Sequence, residues 1–259
     1  FEGDEGSLDD IERASVAQFR LTYGGQGEIH FDGKPPQPIH TFSVLGPRLT
    51  SSRIIASGGL IKAFGGGLLP AGWAACTRLG ANQFVNTVVP AERIFGEKAG
   101  DYADHMAEMS DLAAMVDATV ALARPYFAAA KPGPLKFIRT LNHWLESSLD
   151  PHVDHLASAA GLSRRQAERL AKHYFGAPPK YLARMYRALR AANAIANGHQ
   201  DWQDFINNAF YDQSHFIREI KFFTGLTPGA VRDHQSRLTQ LAFGRHQLAG
   251  EVGPLVADS

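Results

Sequence analysis

The chain has 259 residues, of which 44% are hydrophobic and 20% charged, so it has the length of one or two domains and the composition of a folded protein. Its formal net charge is zero, and its single cysteine, Cys76, excludes an internal disulfide and a thiolate zinc site. No apolar run approaches the roughly 20 residues of a membrane-spanning helix and no leader-like segment opens the sequence, so we expect a cytoplasmic protein without membrane contact.

The residues up to about 69 have the pattern of a β-rich unit. Apolar residues alternate over residues 16–23, 29–31 and 39–45, as they do in half-buried strands. Residues 54–64 contain Gly58 and Gly59 near their centre. Paired glycines supply the positive φ angles of a two-residue turn, so this segment is predicted to be a tight hairpin.

Helical patterns replace the strands after that point. Residues 70–79 predict a short helix with a proline in its first turn. From Asp101 apolar residues recur at helical spacing until Pro125, which is predicted to limit the run. Residues 131–134, Lys-Pro-Gly-Pro, are predicted to be a linker, because proline lacks an amide donor and clashes with the preceding turn. An all-α half is predicted beyond it.

Residues 153–169 have the pattern of a helix-turn-helix unit. Gly161 can take the left-handed conformation that ends a helix, Leu162 fills the angle between the helices, and Ser163 can cap the second helix. Polar side chains then stand near the start of that helix, where a recognition helix faces the major groove. They are Arg165, Gln166 and Arg169, next to Arg164.

A second unit repeats this arrangement about fifty residues later. Residues 204–209 are predicted to end its first helix, Phe210 to fill the angle, and Asp212 to cap the second helix. The polar residues that open this helix are Gln213, Ser214, His215 and Arg218. The aromatic residues Trp202, Phe216, Phe222 and Phe223 are predicted to be core.

These motifs resemble the signature of the AraC/XylS family of bacterial regulators. The resemblance rests on residues 210–221 with Gly225-Leu226-Thr227-Pro228 and Arg232, and on Gly161-Leu162-Ser163, Arg169, Gly176, Pro179, Tyr181-Leu182 and Arg187. It implies two helix-turn-helix units joined by a long helix over residues 179–197, with both recognition helices in successive major grooves on one face of the DNA.

The resemblance also implies roles for individual residues. Base contacts are implied for Arg165, Gln166 and Arg169 in the first unit and for Gln213, Ser214, His215 and Arg218 in the second. Arginine can donate two hydrogen bonds to guanine, and glutamine can bond adenine in both directions. For His215 a purely local role is an equal alternative. Phosphate contacts or packing are implied for Lys172, Lys221 and Arg232.

The sequence departs from the family pattern at several positions, most of them in the second unit. Ala209 stands where glycine is usual, next to Asn208, and Phe205 stands where a small residue is usual. Ala171 and Val231 replace aromatic residues. These changes put the packing of the second unit's first helix in doubt and leave its recognition helix untouched.

Charge is distributed in a way that fits this reading. Residues 1–134 contain 11 Lys and Arg against 15 Asp and Glu, a net charge of −4, whereas residues 135–240 contain 14 against 9, a net charge of +5. Chance asymmetry is the alternative for a difference this small. A basic second half favours contact between that half and phosphates.

The N-terminal half offers weaker signals. The glycines at residues 65–67 lack the lysine and hydroxyl residue of a phosphate loop, so a turn or bulge is predicted. His30 and His40 are isolated, and no metal site is predicted. Residues 60–73 and 88–90 loosely resemble the β-rich domain of some AraC/XylS members, which implies a small-molecule sensor or a dimerisation module. Its ligand-binding residues stay unknown. Arg53, Phe64 and Trp73 are candidate lining residues, with structural roles as the favoured alternative.

The sequence therefore predicts an α+β, two-domain protein. Residues 1–100 form a β-rich domain with a cupin-like fold as one candidate, 101–134 a helical connector and linker, 135–241 the double helix-turn-helix domain, and 242–259 a tail. The predicted function is sequence-specific DNA binding that regulates transcription in response to an effector, without catalytic residues, metal or cofactor. The predicted partners are double-stranded DNA, a small-molecule effector and a second copy, with RNA polymerase as a further candidate.

Two alternatives stay open. One is a ligand-binding or metal-dependent β-barrel enzyme with an accessory helical domain. The other is a partner-binding protein whose helix-turn-helix units no longer bind DNA.

Overall fold

The structure, a computed structural model, describes residues 2–3, 6–198, 210–233 and 236–244. The strands are β1 (Glu2–Gly3), β2 (Ser7–Glu12), β3 (Ala17–Tyr23), β4 (Gln26–Phe31), β5 (Gln37–Pro38), β6 (Phe42–Leu45), β7 (Ser52–Ser57), β8 (Ile61–Leu68) and β9 (Val88–Pro90). The helices are α1 (Pro70–Cys76), α2 (Glu92–Phe95), α3 (Lys98–Ala107), α4 (Leu112–Ala128), α5 (Pro132–Glu146), α6 (Val153–Ala160), α7 (Arg164–Phe175), α8 (Pro179–Ala196), α9 (Gln213–Thr224), α10 (Pro228–Asp233) and α11 (Arg237–Gly244).

The strands form two antiparallel sheets. One has the order β1-β8-β3-β6-β9 and the other the order β2-β7-β4-β5. Buried side chains from both sheets meet in one cluster, which includes Ile29, Ile54 and Leu45. Strands followed by helices confirm the predicted α+β fold class. The described strands make two separate sheets and do not close into a barrel.

The hairpin predicted over residues 54–64 is wrong. Strand β7 pairs with β2 and β4, whereas β8 pairs with β1 and β3 in the other sheet. Gly58 and Gly59 do have positive φ angles, of 107° and 112°. Both edges of β7 are already occupied by other strands, so these glycines turn the chain from one sheet into the other.

The helical connector also differs from prediction at its prolines. The short helix expected near residue 70 is confirmed as α1. Pro125 does not end the next helical run but lies inside α4, in an exposed part of that helix near its end. Pro132 and Pro134 begin α5 instead of forming a linker. A proline is tolerated in the first turn of a helix because its missing N–H would have no partner there.

The helical half packs around α8, whose predicted span is confirmed within one residue at its end. Leu182, Ala188, Leu189 and Ala192 of this helix are buried in a cluster that includes residues from α5, α6, α7 and α9. Ala14 from the sheet half also belongs to that cluster. The two halves of the chain therefore share one hydrophobic core.

Hydrogen bonds cross the same junction. The backbone N–H of Ala14 donates to the carbonyl oxygen of Phe223 at 2.7 Å. The Tyr181 hydroxyl donates to the carbonyl oxygen of Leu49 at 2.7 Å. The guanidinium of Arg13 donates to the side-chain oxygen of Asn193 at 2.7 Å. These bonds attach the sheet half to α8, the helix that joins the two helix-turn-helix units, and to α9 of the second unit.

Among the described residues, no single helix is long and apolar enough to span a membrane. Two consecutive helices, α4 and α5, meet the length and composition criteria only when they are taken together across a bend of 110°.

Candidate DNA-binding surface

The first recognition helix, α7, begins as the sequence predicts. Gly161 has φ 64° and ψ 37°, the left-handed conformation that ends α6. Leu162 is half-buried and packs against the helical core. The Ser163 side chain accepts a hydrogen bond from the backbone N–H of Gln166 at 3.3 Å, which confirms the predicted cap.

Polar side chains cover the outer face of α7. Arg165, Gln166 and Arg169 are all exposed, whereas Ala167 and Ala171 of the same helix are buried in the core. Arg164 pairs with Glu168 at 3.3 Å, and no ion pair involves Arg165 or Arg169 within the described part of the chain. Two free guanidinium groups on an exposed helical face suit contact with bases or phosphates.

Gln166 also caps the start of α7. The sequence has the motif for this role, but the predicted base contact does not take it into account. Its side-chain oxygen accepts hydrogen bonds from the backbone N–H and the hydroxyl of Ser163, both at 2.9 Å. Ser163 and Gln166 thus form a capping box, the S/T-x-x-E/Q motif. A bidentate contact with adenine requires this amide to leave the cap.

The second recognition helix, α9, has an equivalent start. The carboxylate of Asp212 accepts a hydrogen bond from the backbone N–H of His215 at 2.7 Å, so the predicted cap is confirmed. Gly225 ends the helix with φ 78°. Phe210 is buried against the ring of Phe216, with their centroids 5.1 Å apart. The exposed face of the helix carries Gln213, Ser214 and Arg218.

His215 is half-buried, unlike the other predicted base-reading residues. Its ring lies 5.8 Å from the ring of Phe210, and its Nε2 lies 3.9 Å from a carboxylate oxygen of Glu219. Its Nδ1 lies 3.5 Å from the backbone nitrogen of Tyr211. These contacts give His215 the local structural role that was one of its two predicted alternatives, and its base contact stays a prediction.

An ion pair that the sequence analysis missed attaches α9 to α8. The guanidinium of Arg184 donates to both carboxylate oxygens of Glu219, at 2.7 and 3.0 Å, and Glu219 is buried. This hydrogen bonding raises the pKa of Arg184 above its ordinary value. The guanidinium also lies over the rings of Tyr181 and Phe223. The two residues are 35 positions apart, so no local pattern indicates the pair.

Phe222 is the aromatic residue whose predicted burial is wrong. It is 44% exposed, while its neighbour Phe223 is fully buried. Consecutive helical residues point about 100° apart, and this rotation places Phe222 on the side of α9 that faces solvent. Phe216 is buried as predicted.

The residues implied as phosphate contacts, Lys172, Lys221 and Arg232, are exposed. Arg232 pairs with its neighbour Asp233 at 2.6 Å. Ala171 and Val231, the replacements for aromatic residues, are fully buried. The departures at Phe205, Asn208 and Ala209, and Trp202 with them, lie outside the described residues.

A cavity of about 170 Å³ lies between the two sheets of the N-terminal half. Phe19, Thr22 and Phe64 line it, together with Leu238 from α11. The hydroxyl of Thr22 is buried and has no hydrogen-bond partner among the described residues. The backbone N–H of Leu238 donates to a carboxylate oxygen of Asp10 at 3.2 Å. A helix that follows the second helix-turn-helix unit therefore reaches the interior of the sheet half.

Of the three candidate lining residues, Phe64 lines this cavity. Trp73 is a core residue whose indole N–H donates to the carbonyl oxygen of Leu79, and Arg53 lies at the surface in an ion pair with Asp9. His30 contacts Glu28 at 2.6 Å. Within the described ranges no group of three or more histidine, cysteine or acidic residues is placed to hold a metal ion.

Residues 156–234, which contain both recognition helices, match the family described as "Helix-turn-helix domain". No curated protein matches the chain. An apo variant of ToxT from Vibrio cholerae is similar in structure, with 9% identity and a TM-score of 0.48 over 87% of this chain and 96% of that one. A ToxT structure with a bound unsaturated fatty acid has 8% identity and a TM-score of 0.46 over 87% and 94%.

Proposed function

We propose that this chain, which carries a helix-turn-helix domain of the AraC type over residues 156–234, regulates transcription by binding specific sequences of double-stranded DNA. The domain type is the one that the sequence motifs predict. In this proposal α7 and α9 enter successive major grooves on one face of the DNA.

The observation that supports the proposal most is the shared design of the two recognition helices. Each begins at a capped residue, Ser163 or Asp212, and each packs a buried face against the helical core. The first two turns of each helix expose polar side chains. We propose that bases are read by the exposed side chains Arg165, Gln166, Arg169, Gln213, Ser214 and Arg218, together with the half-buried His215.

Selection of bound duplexes from a random DNA pool tests this function. At about 0.1 M salt, phosphate attraction is screened and sequence-independent binding is weak. We expect the bound fraction to converge on a shared motif with two half-sites about one helical turn apart. Recovery of unrelated sequences would contradict the proposal and would favour a protein-binding module that has lost DNA contact.

We further propose that the cavity between the sheets holds a small-molecule effector. Its walls are mainly apolar, but Thr22, whose hydroxyl has no partner among the described residues, lines it as well, and so does Arg20, whose guanidinium donates to Glu12 and Gln18. These groups suit an apolar molecule that carries a hydrogen-bond acceptor. We propose that Leu238 couples an occupant of the cavity to DNA binding, because it lines the cavity and belongs to α11, which follows the DNA-binding helices in the chain.

A two-part measurement tests this coupling. Compounds that raise the melting temperature of the protein are screened for an effect on its affinity for the selected duplex. We expect Leu238→Ala to bind such a compound but to lose most of the change in DNA affinity. An equal response in wild type and variant would show that α11 does not transmit the effect.

We propose that the protein acts as a homodimer through α4. This helix carries four large apolar residues that are between 45% and 65% exposed, namely Leu112, Val116, Val120 and Phe127. They recur at helical spacing, so they form one stripe. Asp117 and Arg124, both exposed, stand on either side of Val120, the central residue of the helix, at nearly equal distances from it. Two antiparallel copies of α4 would place each aspartate beside the partner's arginine, the self-complementary pattern of a two-fold interface.

Sedimentation of the Val120→Asp variant tests the dimer. A carboxylate at the centre of the stripe would be buried without a partner, so we expect the variant to sediment as a monomer. Lys136→Asp changes an exposed position on α5 and is the control. A wild-type protein that is monomeric at all concentrations tested would contradict the proposal.

The domain type also supports regulation by binding rather than by catalysis, and we propose that the protein is not an enzyme. Because the proposed DNA binding requires access to the chromosome, we propose that the protein acts in the bacterial cytoplasm. RNA polymerase is the partner that we propose for activation of transcription, and abortive initiation assays with purified polymerase and the selected site would test that contact.

A further inference from the structure

A second concave surface lies between α1, α4 and the start of α5, and it shares no lining residue with the cavity between the sheets. It is a groove of about 1000 Å³. Leu122 and Tyr126 of α4 form one wall, and Ala75 and Cys76 of α1 form another. These residues lie on a different side of α4 from the apolar stripe proposed as the dimer contact. The groove is therefore open in both monomer and dimer.

The lining of this groove is about half apolar, and its charged residues are all positive. Arg78, Lys98 and Lys131 line it and are exposed, and no aspartate or glutamate lines it. Within the described part of the chain none of the three cations has an ion pair or a side-chain hydrogen bond. In a chain of zero net charge, three cations from three separate elements without a counter-charge form a local site for an anion.

The start of α5 adds to this charge. Pro134 and Leu135 of its first turn line the groove, and the helix has no side-chain cap. The positive end of the helix dipole thus lies at the groove. The prolines in this turn have no N–H, which leaves the amide of Gly133 as the backbone donor there.

We propose that this groove binds an amphipathic organic anion, with its charged group near Arg78, Lys98 and Lys131 and its apolar body along α1 and α4. The apolar walls exclude a bare inorganic anion as the best occupant, because such an ion leaves them exposed to water. The unbalanced cations equally disfavour a neutral or positively charged amphiphile.

The groove also touches the first DNA-binding unit. His173 and Tyr174, at the end of recognition helix α7, line it. The two rings lie 4.7 Å apart, and that of Tyr174 lies 6.3 Å from the ring of Phe137 in the core. An occupant would therefore contact the same helix that carries Arg165 and Arg169. Binding to the groove itself does not depend on DNA recognition and is measured without DNA.

Decanoate is a suitable probe, with decanol and decyltrimethylammonium as neutral and cationic probes of equal chain length. Calorimetry should show saturable single-site binding of decanoate and binding of the other two that is at least about tenfold weaker, given the strength of charge-assisted hydrogen bonds. A triple variant with Gln in place of Arg78, Lys98 and Lys131 should bind decanoate about tenfold or more weakly than the wild-type protein does. Lys180→Gln, an exposed cation outside the groove, should leave it unchanged.

Cys76 supplies a readout of location, because it is the single cysteine of the chain and lines the groove. Decanoate should slow alkylation of Cys76 by N-ethylmaleimide in the wild-type protein, and decyltrimethylammonium should not. Equal affinity for all three probes, equal decanoate affinity in the triple variant, or an unchanged alkylation rate would each overturn the proposal. The thiol measurement needs no variant and so is independent of any folding defect.

Discussion

Substitution of single arginines on the exposed faces of α7 and α9 would distinguish contacts with bases from general attraction to phosphates. Arg165 and Arg218 are exposed and make no ion pair within the described residues. We expect Arg165→Ala and Arg218→Ala each to weaken binding of the selected duplex by about 1–3 kcal/mol and to relax the preference at one base pair. Fluorescence anisotropy at several salt concentrations measures both effects.

Lys136→Ala is the matched control for these arginine variants, because Lys136 is an exposed cation on α5, outside both recognition helices. A loss that is uniform across sequences and that reduces the salt dependence would assign the arginine to a phosphate instead of a base. Wild-type affinity in both variants would refute the proposed roles.

The burial of the Cys76 thiol can be tested, because burial changes the pH at which the thiol ionises and reacts. Burial raises the pKa of its thiol from 9.0 to about 11. The neutral thiol is therefore favoured in the folded protein, and this contribution to stability is present below pH 9 and is lost as the pH rises through about 11. Since only the thiolate reacts, we expect much slower alkylation in the native protein than in urea near neutral pH. Equal rates would show that the thiol is not desolvated.

The ion pair between Arg184 and Glu219 tests how α9 is held on α8. Removing Arg184 leaves the buried Glu219 carboxylate without its two hydrogen bonds, so we expect Arg184→Ala to lower the free energy of unfolding by about 1.5–3 kcal/mol. Arg232→Ala removes a surface pair with Asp233 and should cost less than about 1 kcal/mol. Urea denaturation of both variants makes the comparison, and equal losses would mean that the bidentate pair contributes no more than a surface pair.

The elements that the sequence predicted well are those set by local chemistry. Gly161, Ser163 and Asp212 determine where helices end and begin through bonds that span a few residues, so their pattern identified both recognition helices. The ion pair of Arg184 with Glu219 depends on the packing of two helices and leaves no local trace. The same holds for the partners of β7, since strand pairing is decided by other segments of the chain. The local turn residues therefore predicted correctly that the chain turns at Gly58. The predicted pairing of the two flanking strands in a hairpin was wrong.

At the scale of the whole molecule, the division into a β-rich half and a helical half followed from periodicity, but the contact between the halves did not. Ala14 and Leu49 of the sheet half lie in the core of the helical half, and a backbone hydrogen bond joins Ala14 to Phe223 of α9. Contacts between segments that are distant in sequence produce no periodic pattern of apolar residues, so the sequence does not reveal them. The second recognition helix is consequently held by the sheet half as well as by α8.

Gly225 provides a test of that contact. Like Gly161, it ends a helix of a helix-turn-helix unit with positive φ, so alanine at either position costs about 1–2 kcal/mol in backbone strain. A Cβ at Gly161 meets no atom within 4 Å, whereas one at Gly225 lies 2.5 Å from a methyl carbon of Ile11 and 3.1 Å from Cβ of Ser51. We expect Gly225→Ala to lower the free energy of unfolding by about 1–3 kcal/mol more than Gly161→Ala does, because overpacking adds to the strain. Urea denaturation measures the difference, and equal losses would mean that the sheet half does not press on the end of α9 in solution.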